Sequence, residues 1–116
     1  MKEKKGVPIS KVLVFEKQFI VGLDLKRSLS EKGYKVYFES QLAEARELIS
    51  VERPDFVIAC ASSIGELLPG MQKDGKAQKV EMSILDRELK ILTVFQKPFH
   101  SELLVAYLGD HLKQPG

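Results

Sequence analysis

Side chains able to do chemistry stand at the ends of short apolar runs. Glu16 and Lys17 follow Val12-Leu13-Val14-Phe15, Cys60 follows Phe56-Val57-Ile58-Ala59, and Lys97-Pro98 follows the run ending at Gln96. Cys60 offers a thiol that could sense redox state or a metal. A reactive thiol needs a depressed pKa and exposure. A cysteine in an apolar strand is ordinarily a small packing residue, so packing is the expectation. Glu16 could ligate a cation, but divalent ions want several oxygen ligands. An ion pair with Lys17 or Lys97 is expected instead. Lys97 could hold an anion; a structural role at a strand-to-helix turn is expected. Asp55 follows Pro54 at the start of its run, so it should lie at the far end from the other groups. His100 and His111 lack the i, i+4 spacing that brings two imidazoles to one metal from one helix, and both are expected at the surface.

Composition limits what these groups can serve. The chain has 116 residues, the length of one compact domain. Charged residues make 29% and apolar residues 44%, which excludes a disordered chain. A net charge of +2 gives no electrostatic case for nucleic acid or a membrane surface as partner. The basic residues Lys2, Lys4, Lys5 and Lys11 read as part of a solvated tail. A single cysteine can form no internal disulfide and no Cys-rich zinc site, and it suits a reducing, cytoplasmic setting. No apolar run approaches the roughly 20 residues that span a bilayer. The opening MKEKKGVP has no apolar stretch directly behind it, so no secretory signal is expected. A single domain is expected over 1–116, with its core in 11–112 and tails at 1–8 and 113–116.

The elements that must position these groups follow from period and punctuation. Lys11–Glu16, Tyr34–Glu39 and Pro54–Ala61 are short, apolar and β-branched or aromatic, the pattern of strands buried on both faces of a parallel sheet. Between the first two, Phe19, Ile20, Leu23 and Leu29 recur at helical spacing, with Gly33 as the stop. Ser40 should cap a second helix that buries Leu42, Ala45, Leu48 and Ile49 and ends at Pro54. This βαβαβ alternation predicts a parallel α/β sheet with helices on both faces. Ser62 or Ser63 could cap a short helix through Leu68, and MQKDGKAQK reads as a loop. Residues 80–96 admit two readings. One is a hairpin turning at Asp86-Arg87-Glu88, slightly preferred; the other is a helix over 80–89. A final helix, His100–Lys113, aligns Leu104, Leu108 and Leu112.

In this order, KVLVFE, EKGYKV, RPDFVIAC and QKPF resemble the receiver domain of two-component response regulators, over nearly the whole chain from Lys11 to Leu112. The resemblance implies a flavodoxin-like (βα)5-type doubly wound parallel sheet. In that family an acidic pair after the first strand binds Mg²⁺, and an aspartate ending the third strand accepts a phosphoryl group from a histidine kinase. A Ser or Thr after the fourth strand and the lysine of the Lys-Pro pair hold the phosphoryl oxygens. Carried over, the acidic pair falls on Glu16 and Lys17 and the phosphoacceptor position on Cys60. Lys97 and Pro98 are retained, and Ser83 and Thr93 are the candidates for the switch hydroxyl. The switch aromatic position falls on Val94, with Phe95 pointing to the opposite face of its strand.

The match therefore breaks at the chemistry. Transfer of a dianionic group to a carboxylate needs a divalent cation and a lysine to neutralise charge. Lysine in place of one carboxylate repels Mg²⁺, so neither Mg²⁺ nor another cofactor is expected. The interval from Cys60 to Lys97 is also short, so the fold should be shortened or remodelled between the third and fifth strands, chiefly at the fourth helix. These departures imply a degenerate, or pseudo-receiver, domain, stand-alone and not an enzyme. It would bind a protein such as a histidine kinase or another regulator, or itself, without phosphorylation, and neither nucleic acid nor membrane. The alternatives are an atypical active phosphoacceptor using Cys60 or Glu16, and a small-molecule or redox sensor using the crevice at the carboxyl ends of the strands.

Overall fold

The computed structural model describes residues 10–60, 64–67, 81–96 and 100–113. Within them the chain runs β1 (Lys11–Phe15), α1 (Phe19–Glu31), β2 (Lys35–Glu39), α2 (Leu42–Glu52), β3 (Phe56–Cys60), α3 (Ile64–Leu67), β4 (Glu81–Leu85), β5 (Ile91–Gln96) and α4 (Ser101–Lys113). The strands form one five-stranded sheet in the order β2-β1-β3-β4-β5.

Both faces of this sheet are covered, and the central strands show why. In β1, Val12 and Val14 join one buried cluster while Leu13 and Phe15 join another. β3 does the same, with Phe56 and Ile58 on the first side and Val57 and Ala59 on the second. Successive strand residues point to opposite faces, so an unbroken apolar run fills two cores at once. The first cluster is closed by Leu25 and Leu29 of α1 with Leu104, Val105 and Leu108 of α4. The second is closed by Ala45 of α2 and Leu67 of α3, with Leu42, Leu48 and Ile49 packed against them. Each fully buried leucine contributes on the order of 1.5–3 kcal/mol.

The sheet is mixed, which departs from the parallel sheet that the resemblance implies and agrees with the hairpin preferred for 80–96. β1 runs parallel to β2 and β3, but β4 lies antiparallel to both β3 and β5. Met82 faces Cys60, so the chain enters β4 at the end where β3 leaves. β5 consequently points the same way as β1, β2 and β3. The hairpin reading of 80–96 holds for the described part, residues 81–96, and the helix over the same stretch is excluded there. Asp86 closes its turn. Its N–H donates to the Lys90 carbonyl at 2.9 Å, and its Oδ1 accepts the N–H groups of Glu88 and Lys90, each at 2.9 Å. Leu89 sits in the left-handed region at φ 65°. Ile84 faces Thr93 while Leu85 faces Ile91, which leaves Leu92 as the extra residue of a bulge.

Helix ends refine the sequence reading. Gly33, at φ 96°, terminates α1 as expected. Tyr34 N–H donates to the Leu29 carbonyl at 3.3 Å and Gly33 N–H to the Ser30 carbonyl at 3.0 Å, the paired bonds of a Schellman motif. Ser40 does not cap α2. Gln41 holds the N-cap position in an extended conformation and makes no side-chain cap bond, so the Ser40 hydroxyl falls one residue too early. Arg53, in the left-handed region at φ 49°, ends α2 before the buried Pro54.

The largest correction concerns α1. Phe19 is 63% exposed, Ile20 81% and Leu23 44%, although their spacing marked them for the core. The buried residues are Gly22, Leu25 and Leu29. Gly22 fixes this rotation, because a Cβ there would clash with the edge of the Phe38 ring of β2. Phe19 rests on the same ring, with centroids 5.6 Å apart. In α4, by contrast, Leu104 and Leu108 are buried as expected. The Leu112 side chain, Ser62, Ser63, Leu68, the loop 71–79, the tails 1–8 and 114–116, and Lys97-Pro98 lie outside the described residues.

Candidate functional site

The carboxyl ends of β1 and β3 bring Glu16 and Cys60 to one end of the sheet. Phe15 pairs with Ala59; Cys60 is the last residue of β3 and Glu16 directly follows β1. Glu16 is 3% exposed, a rare degree of burial for a carboxylate. Its own N–H donates to the Glu39 carbonyl at 3.1 Å, carrying the β1–β2 ladder one residue further. Its Oε2 accepts the Gln18 N–H at 2.9 Å, which shapes the turn into α1. The carboxylate thus helps to build the strand-to-helix junction. Cys60 is half-buried and packs against the first cluster, as expected of a packing residue.

Lys17 takes another direction. Its side chain is 57% exposed, and its Nζ lies 3.3 Å from Oε1 of Glu66 in α3. The Glu66 carbonyl in turn accepts a hydrogen bond from Arg46 Nη2 of α2 at 2.8 Å. An exposed pair of this kind is worth about 0–1 kcal/mol. The expected partnership of Lys17 with Glu16 is therefore replaced by one with Glu66. Lys97, the other expected partner, lies outside the described residues, as does Pro98.

The two candidate hydroxyls stand on opposite faces. Ser83 is 2% exposed and faces Ala59 across the β3–β4 ladder, on the side of the second cluster. Thr93 faces Ile84, on the side of the first cluster. Directly paired strand residues share a face, so one ligand at the sheet end cannot meet both from the same side. Counted from the level of Cys60, Ser83 is one residue in and Thr93 two. Val94 is 43% exposed and faces Ser83, while Phe95 lies on the other side with its ring 6.1 Å from that of Tyr107 in α4.

The remaining charged groups gather elsewhere. Asp55 is at the opposite end of the sheet, as its place before β3 predicts. It accepts the Lys11 N–H at 2.9 Å and pairs with Arg87 of the hairpin. Lys11 belongs to β1, not to a solvated tail, and its Nζ meets Glu52 Oε1 at 3.1 Å. Tyr37 Oη donates to the same oxygen at 3.0 Å. The hydrogen bond from Lys11, then that from Tyr37, holds the Glu52 carboxyl below its usual range. His100 and His111 are both exposed, and the His111 ring stacks on Tyr107 at 6.2 Å.

A cleft of about 1110 Å³ runs between α1 and α4 and is lined by Asp24, Arg27, Ser28, Ser101, Glu102 and Asp110 among others. Ser28 and Ser101 hydroxyls touch across it at 3.0 Å. Among the described residues, no group of three or more His, Cys, Asp or Glu is placed to hold a metal ion, and no helix is long and apolar enough to cross a membrane. Sequence reasoning missed Glu66 and Arg46 as the partners around Lys17. It also missed the exposed strip Phe19, Ile20, Leu23. The signal available for the strip was Gly22, whose spacing to Leu25 and Leu29 defines the rival, buried stripe. No family model matches the chain, and no curated protein matches it.

Proposed function

We propose that this chain is a receiver-like domain of flavodoxin-like descent, remodelled between its third and fifth strands. In this reading it acts in two-component-type signalling as a phosphorylation-independent protein-interaction module. It binds a histidine kinase, another regulator or a second copy of itself, and it performs no catalysis.

The observation that carries this reading is the chemistry at the ends of β1 and β3. Cys60, a thiol, ends β3, where the resemblance puts the phosphoacceptor, and Lys17, a cation where the resemblance puts a second carboxylate, is turned towards Glu66. Glu16 alone is a poor Mg²⁺ site, and without the metal the charge of a transferred phosphoryl group goes uncompensated. The strand order β2-β1-β3-β4-β5 supports the receiver-like reading, because a flavodoxin-like sheet has the same order. The exposed strip Phe19, Ile20, Leu23 supports a protein partner. It opens α1, immediately after Glu16 and Lys17, and clustered exposed apolar side chains mark contact surfaces.

Incubation with Mg²⁺ and acetyl phosphate, read by intact mass, tests the reading. The mass is expected to stay unchanged. A Mg²⁺-dependent phosphoryl adduct on Cys60 or Glu16 would overturn it in favour of an active phosphoacceptor.

A further inference from the structure

We draw no further inference here: the strongest candidate, the outer edge of β5 with Ile91 and Val94 exposed along it, is interrupted by the bulge at Leu92, and nothing in the structure shows what covers it.

Discussion

Glu52 Oε1 accepts from two side chains at once, Lys11 Nζ at 3.1 Å and Tyr37 Oη at 3.0 Å. These bonds favour the ionised carboxylate, so the folded pKa lies below the unfolded one. The stabilisation is present above the unfolded glutamate pKa and is lost as the pH falls through the depressed folded value. Glu52→Gln keeps an acceptor and removes the charge. Its urea midpoint is expected to fall below that of the wild type by a constant gap from neutral pH down to about pH 5. The gap should close in more acid solution, and a gap that persists there would contradict the assignment. None of this was legible in the sequence, because Lys11, Tyr37 and Glu52 come from three elements and meet only when the sheet forms. Cys60 and Glu16 were legible, since each ends an apolar run and run ends fix position along a strand. The partner of Lys17 was not, because a long flexible side chain on a turn can reach several elements.

At the level of elements, α1 shows how a helical period can be read with the wrong face inward. Phe19, Ile20 and Leu23 form one apolar stripe, and Val21, Gly22, Leu25 and Leu29 form another. α1 packs beside β2, the outermost strand on its side, so the sheet covers only one stripe. Close contact with Phe38 selects the stripe that carries glycine. Leu25→Ala is therefore expected to cost about 2–5 kcal/mol, whereas Ile20→Ser should change stability by no more than about 0.5 kcal/mol. Urea denaturation of both variants checks this, and the reverse order of effects would mean that α1 is rotated. α2 and α4 were read correctly because each has a single apolar stripe. The cap of α2 was misplaced by one residue, since Ser40 and Gln41 both precede the first buried position and spacing alone does not say which is the last extended residue.

For the whole molecule, the first three strands and their helices were legible because short connections leave few topologies for a βαβαβ chain. The direction of β4 was not, because alternation of Val80, Met82 and Ile84 with Glu81 and Ser83 is the same in either direction. The hairpin signal at Asp86-Arg87-Glu88 set β4 against β5, but pairing with β3 depends on where the intervening chain returns. An antiparallel β3–β4 ladder brings Hα atoms of non-hydrogen-bonded pairs close together, and a parallel one does not. Hα–Hα NOEs are therefore expected across the Val57–Leu85, Ile58–Ile84, Ala59–Ser83 and Cys60–Met82 ladder at its non-hydrogen-bonded pairs. Their absence, with NOEs of the parallel pattern instead, would mean that β4 runs parallel to β3. Reversal of β4 also bears on function. It brings a strand into the sheet end beside Cys60 from the opposite direction.

The central proposal is that this end of the sheet does not bind a phosphoryl group. Its most direct test is a titration of isotopically labelled protein with Mg²⁺ and then beryllofluoride, a phosphoryl mimic, followed through the backbone amides. The account predicts no localised, saturating shifts at Glu16, Cys60 or Lys97 at millimolar ligand. Saturating shifts at those residues that depend on Mg²⁺ would contradict it and favour an active phosphoacceptor.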